Sequence, residues 1–132
     1  VSRNICKLNW HDFAIAVSRL EYRLKTIPDA VGVYGVPRGG LVLAVALSHR
    51  LNLPLLLEPC DGMIWVDDII DSGKTVKEMT HKPAAVACWV NRNNGQLADV
   101  SAYMTFGDEW FLFPWEQEYN VLHDLEAYEC SR

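Results

Sequence analysis

Apolar positions along this chain change their spacing at regular intervals. Between Trp10 and Leu24, Phe13, Ala16, Val17, Leu20 and Leu24 recur at helical spacing, and Asp12 near the start suits the positive end of the helix dipole. Residues 31–36 read as a buried strand, 40–51 as a helix, 53–57 as a short strand and 63–67 as a second buried strand. A short helix over 74–80 ends before Pro83, because a proline disfavours helical backbone at the residue before it. Residues 84–90 and 100–104 are continuous apolar runs with strand character, and 122–128 is a candidate helix. Repeated strand–helix–strand units with near-continuous apolar strands predict an α/β fold with a mainly parallel central sheet flanked by helices. Ligands of such sheets bind outside the carboxyl ends of the strands. There is no internal repeat and no low-complexity segment.

The stretches that follow the strands at 31–36 and 63–67 carry the candidate chemistry. The run Met63-Ile64-Trp65-Val66-Asp67-Asp68-Ile69-Ile70-Asp71-Ser72-Gly73-Lys74-Thr75 takes an apolar strand into adjacent carboxylates, a third carboxylate and a small turn that opens a helix. Ser72, Gly73 and Thr75 let a ligand approach the backbone closely. The first N–H groups of a helix lack internal partners and carry partial positive charge, so a phosphate seated there gains hydrogen bonds. The hydroxyls of Ser72 and Thr75 add two contacts. Asp67 and Asp68 can accept from ribose hydroxyls or face the waters of a bound Mg²⁺. Asp71, at the turn, can meet a base or a leaving nitrogen. Gly73-Lys74-Thr75 resembles the end of a Walker A loop, but that loop needs a glycine where Asp68 stands, which excludes a P-loop ATPase. Reading Asp71 or Ser72 as a simple helix cap accounts for one carboxylate and not for three.

Pro37-Arg38-Gly39-Gly40 repeats the arrangement of strand, glycine-bearing loop and helix. Arg38 offers a planar donor fork for phosphate oxygens, and Gly39 and Gly40 bring backbone N–H groups close to an anion. Alone, this loop could be a plain turn. Beside the acidic strand it supplies a second grip, one for each end of a doubly phosphorylated sugar.

With both motifs in view the chain resembles the type I phosphoribosyltransferase family, within it the bacterial xanthine–guanine and hypoxanthine–guanine enzymes. Residues 66–75 match that family's phosphoribosyl-pyrophosphate signature, and 35–40 resemble its pyrophosphate loop. Residues 108–116 resemble the segment covering the purine, and 8–13 its opening helix. The resemblance spans roughly residues 8–118 and implies a Rossmann-like fold forming one domain over 1–132, with 106–118 as a small C-terminal hood. It implies that Asp71, Ser72, Gly73, Lys74 and Thr75 hold the 5-phosphate. Asp67 and Asp68 would orient the ribose and Mg²⁺, and Arg38, Gly39 and Gly40 would hold pyrophosphate. It further implies that Asp71 accepts or relays the purine N7 proton, that Trp110 or Phe111 stacks on the base, and that Asp68 and Glu116 are metal ligands. In the family the peptide bond before the residue matching Arg38 is often cis.

Two departures stand out. Where the family has a lysine that meets the purine's exocyclic oxygen, this chain has Asn91, with Arg92 beside it as the candidate substitute. Between the two loops the family carries a long mobile lid that excludes water; here only residues 51–62 stand, roughly twenty fewer, which fits a loop left out of this sequence, a trimmed enzyme that borrows a lid from a subunit or does without one, or a fold that binds a nucleotide without catalysis. Two function classes follow. One is a Mg²⁺-dependent transferase that joins a purine-type base to phosphoribosyl pyrophosphate in nucleotide salvage. The other is a catalytically silent relative that senses nucleotides or regulates a partner.

Composition narrows the setting. The chain has 132 residues, half of them hydrophobic, which suits one compact core. A net charge of −5 argues against general nucleic-acid binding. Cys6, Cys60, Cys88 and Cys130 form no CxxC pair and no metal-site spacing, and read as free thiols in a reducing cytosol. His11, His49, His81 and His123 are scattered and read as structural or solvent-facing. No apolar run reaches membrane-spanning length, and no signal-peptide pattern opens the chain at Val1, so a trimmed, cytoplasmic chain is expected. Family members commonly form dimers or tetramers, which sets the same expectation here. Arg92-Asn93-Asn94-Gly95 reads as a turn.

Overall fold

The structure is a computed structural model and describes residues 4–92, 97–119 and 125–127. The turn expected over Asn93–Gly95, most of the tail helix expected over 122–128, and Cys130 lie outside these residues. The chain divides into two compact units: residues 16–106, and residues 1–15 together with 107–132.

The larger unit holds a parallel five-stranded sheet in the order β3-β2-β4-β5-β6. Its strands are β2 (Gly32–Gly35), β3 (Leu55–Leu56), β4 (Met63–Ile70), β5 (Ala85–Asn91) and β6 (Val100–Met104). Helix α2 (Gly39–Leu51) joins β2 to β3, and α3 (Lys74–Lys77) lies between β4 and β5. The sheet is mainly parallel and flanked by helices, as the strand–helix alternation predicts. Each central strand is apolar on both faces because each face is covered. Met63, Trp65, Ile70, Val86 and Cys88 cluster with Tyr34, Val36, Val76 and Met79. Helix α2 lies against β2 and β4 and buries Leu43, Ala44 and Leu47.

Strand order positions the candidate site. From β2 the chain moves outward to β3, then returns to the other side of β2 for β4 and continues towards β6. The direction of winding therefore reverses between β2 and β4. A crevice forms where two crossovers leave neighbouring strand ends on opposite faces. The loop at Arg38 and the segment from Asp67 to Thr75 leave the sheet at those ends.

Two boundaries differ from the sequence pattern by three residues, and the others by at most two. Strand β4 runs to Ile70, because Ile69 and Ile70 pair with Val90 and Asn91. Asp67 and Asp68 thus lie inside the strand, where the pattern 63–67 put its end. Helix α3 is a single turn, closed when Met79 N–H donates to Val76 O at 3.2 Å, so the helix expected over 74–80 stops at Lys77.

In the smaller unit β1 (Ile5–Lys7) pairs in parallel with β7 (Trp110–Leu112), a contact no local pattern announced. Helix α1 (Trp10–Leu24), whose first residues belong to this unit and whose remainder belongs to the larger one, has the bounds its apolar stripe predicted. Its start is a reciprocal cap: Asp12 N–H donates to Asn9 Oδ1 at 2.8 Å, and Asn9 N–H donates to Asp12 Oδ2 at 2.9 Å. Trp10, Phe13, Phe113 and Trp115 form a ring cluster, with Phe113 stacked on Trp115 at 5.2 Å.

Candidate functional site

Three glycines bring the first loop onto the acidic strand. A Cβ on Gly35 would lie 2.7 Å from Ala44 Cβ, and one on Gly40 would lie 2.5 Å from Val66 O and 3.2 Å from Asp67 Cα. Only glycine at these points lets the start of α2 sit directly on β2 and β4. Gly39 faces the Asp68 carboxylate so closely that an added Cβ would fall 2.6 Å from Asp68 Cγ. The exposed Arg38 stands next to it. The Pro37–Arg38 peptide bond is cis, as the family resemblance implied. The Arg38 loop and the acidic strand, expected to share a ligand, therefore meet at one place.

Side chains alternate along a strand, which places Asp67 and Asp68 on opposite faces of β4. Asp68 lies towards Gly39. Asp67 helps to line a cavity of about 150 Å³ with residues 69–76, among them Asp71, Ser72, Gly73, Lys74 and Thr75. The turn beyond the strand depends on Gly73, whose φ of 79° is a conformation other residues adopt only at a cost. The first helical bond is Lys77 N–H to Gly73 O at 2.9 Å, so the N–H groups of Gly73, Thr75 and Val76 precede the helical ladder. Ser72 Oγ accepts the Lys74 N–H at 3.3 Å and tightens the turn.

The carboxylates are held by their own backbone. Asp68 N–H donates to Asp67 Oδ1 at 2.9 Å, and Ile69 N–H donates to Asp68 Oδ1 at 2.8 Å. Burial, followed by the hydrogen bond and charge of Asp68, pushes the Asp67 carboxyl from its ordinary value of 3.8 up to about 8. The folded protein thus keeps a proton that the unfolded chain releases near pH 4. The stability this proton lends is complete below that pH and is lost as pH rises towards about 8. In protein free of ligand and divalent cation, Asp67→Asn keeps a carbonyl oxygen for the Asp68 N–H and removes the titration. Its melting temperature is expected to exceed wild type by several degrees above about pH 8 and to match it near pH 4. Identical melting curves at both pH values would refute the assignment. The Cys88 thiol, buried opposite Asp67 in the β4–β5 register, is also pushed up, by burial first and by Asp67 second, and stays unreactive.

The remaining candidates fall into different places. Asn91 ends β5 with no exposed surface, and its carbonyl accepts the Thr105 N–H at 3.0 Å. Arg92, one residue on, has its Nε 3.9 Å from Asp71 Oδ1. Trp110, Phe111 and Glu116 belong to the smaller unit. There Trp110 is half-buried, Phe111 is buried, and Glu116 Oε1 accepts the Phe113 N–H at 2.9 Å, closing a turn.

Among the described residues no cluster of three or more His, Cys, Asp or Glu side chains could by itself hold a metal ion. The β4 carboxylates nonetheless fit Mg²⁺. That ion prefers hard oxygen donors, uses one or two protein carboxylates, and takes its other ligands from water and substrate phosphates.

Fold and site together define a parallel α/β protein with two glycine-bearing loops and an acidic strand meeting at the switch point of its sheet. No protein-family model matches the chain. It is similar to the xanthine-guanine phosphoribosyltransferase of Nitratidesulfovibrio vulgaris, with 23% identity over 88% of this chain and 87% of that protein. Among solved structures it resembles a purine phosphoribosyltransferase from Pyrococcus horikoshii, with 26% identity, a TM-score of 0.70, and 86% of this chain and 95% of that one covered. A hypothetical Neisseria gonorrhoeae protein, solved with bound ppGpp, shares the fold at a TM-score of 0.69 and 15% identity, over 100% of this chain and 99% of that one. In sequence and in fold the chain is thus similar to purine phosphoribosyltransferases.

Proposed function

We propose that this protein transfers a phosphoribosyl group from phosphoribosyl pyrophosphate to a purine-type base such as guanine, xanthine or hypoxanthine, releasing pyrophosphate, as a step of nucleotide salvage. The observation that carries the reading is the contact of Gly39 with the Asp68 carboxylate, which sets the Arg38 loop against the acidic strand. Arg38 and the N–H groups of Gly39 and Gly40 hold the departing pyrophosphate. Residues 71–75 hold the 5-phosphate, and Asp67 and Asp68 orient the ribose. As the bond from ribose C1 to the pyrophosphate oxygen breaks, positive charge grows on the ring and negative charge on the leaving group. Arg38 and the loop N–H groups stabilise the departing charge, while fixing both reactants removes much of the entropic barrier. A purine nitrogen then bonds to C1, and Asp71 takes or relays the N7 proton. Asp68 and Glu116 are the proposed Mg²⁺ ligands; the ion, when bound, adds charge neutralisation at the phosphates.

In this reading residues 1–132 form one phosphoribosyltransferase domain. Residues 106–118, with Trp110 and Phe111, cover the base, and Asn91 takes the position of the family lysine. The lid region is shortened. We also propose a cytoplasmic homo-oligomer, a dimer or a tetramer. No helix among the described residues is long and apolar enough to cross a membrane.

The buried Asn91 favours a second reading, a catalytically silent relative that senses nucleotides. Incubation with Mg²⁺, phosphoribosyl pyrophosphate and each of several bases, with pyrophosphate release measured, separates the two. Release with a 6-oxopurine supports the transferase. Tight calorimetric binding of phosphoribosyl pyrophosphate or ppGpp, without release for any base, supports the sensor.

A further inference from the structure

Arg92 continues from the end of β5 beside the end of β4. Its N–H donates to Ile70 O at 2.8 Å, which sets it level with the residue that leads into Asp71. The two side chains differ in exposure. The arginine is 10% exposed and the aspartate 53%, with Arg92 Nε 3.9 Å from Asp71 Oδ1. A guanidinium does not lose its proton in a protein, so its near-burial calls for nearby negative charge. Asp71, by contrast, stands on the solvent side of the pair, on the wall of the small cavity it shares with Ser72, Gly73, Lys74 and Thr75. At this separation Nε lies beyond hydrogen-bond distance of the carboxylate oxygen.

We propose that Arg92 is a positioning residue: a fixed, nearly buried cation that holds the Asp71 carboxylate in the orientation from which it takes the base proton. The proposal rests on the transferase reading and adds to it a residue whose effect passes through Asp71. Register makes the arrangement specific. Arg92 follows Asn91, which pairs with Ile70, so the cation and the carboxylate leave adjacent parallel strands at the same level. Asn91, turned into the core, cannot take this part.

The test is a double-mutant cycle on the full chain with Mg²⁺, phosphoribosyl pyrophosphate and the best base. Arg92→Met is expected to lower kcat about 10- to 100-fold in the wild-type background. KM for phosphoribosyl pyrophosphate should stay within about threefold, because the phosphate grips are untouched. In an Asp71→Asn background the same substitution should change kcat by less than about twofold. Arg92→Lys keeps the charge in the same place and should recover most of the turnover lost in Arg92→Met; it also carries the test if the methionine variant does not fold. Full additivity of the two losses, or an Arg92→Lys variant as slow as Arg92→Met at equal melting temperature, would overturn the positioning role while leaving the transferase reading in place. A wild-type chain that releases no pyrophosphate with any base overturns the transferase reading itself.

Discussion

Asp71→Asn is expected to slow turnover by roughly 10²–10⁴-fold while leaving the KM for phosphoribosyl pyrophosphate within a few-fold of wild type. The substitution keeps the shape of the side chain and one carbonyl oxygen but removes the group that can accept a proton. Asp71 lies past the end of β4, with its side chain about half exposed, so the sheet does not depend on it. The neighbouring phosphate grip consists of backbone N–H groups and small hydroxyls, which the change leaves in place. Kinetics with saturating base, read as kcat and KM separately, check the split. Equal losses in kcat and in sugar-phosphate affinity would make Asp71 a ligand-holding group, and unchanged kcat would remove it from the chemistry.

The second large effect concerns the two adjacent glycines, which should fail in different ways. Gly39→Ala puts a methyl group where the Asp68 carboxylate sits. That carboxylate is held by the Ile69 N–H at 2.8 Å, so it must leave this bond or the loop must back away. Either movement separates the two grips on the sugar phosphate. Binding of phosphoribosyl pyrophosphate is expected to weaken about 10- to 100-fold, with a melting temperature close to wild type. Gly40→Ala meets backbone instead, with Val66 O 2.5 Å from the new atom. Backbone in a central strand cannot give way, so α2 must lift from the sheet. The expected cost is about 1–3 kcal/mol of stability, read as a lower melting temperature even without ligand. Calorimetry of binding beside thermal unfolding distinguishes the two. A Gly39→Ala protein that binds as tightly as wild type would mean that the loop and Asp68 do not share a ligand.

Much of the larger unit was legible from local pattern. The helix over Trp10–Leu24 and the strand at Val100–Met104 keep their sequence-read bounds; in the helix the stripe residues Ala16, Val17, Leu20 and Leu24 are the buried ones. The reading of 63–67 stopped too soon because two carboxylates look like the end of a strand. Ladder pairing with β5 carries the backbone to Ile70 all the same, since the hydrogen bonds of a strand do not depend on side-chain polarity. β1 and β7 were invisible for another reason. Three residues are too few to show a period, and their partners lie about a hundred positions apart along the chain.

What the amino-acid order determines on its own is a set of local facts: which runs must be buried strands, where glycine frees the backbone, and which carboxylates and cation follow the strand ends. Those facts follow from sterics and spacing within a few residues. The tertiary structure decided which of these groups meet. Strand order alone puts the Arg38 loop beside the end of β4. The pleat sends Asp67 and Asp68 to opposite faces, and parallel register brings Arg92 level with Asp71. Such distances depend on the order and register of strands far apart in sequence, and packing of the whole sheet selects them.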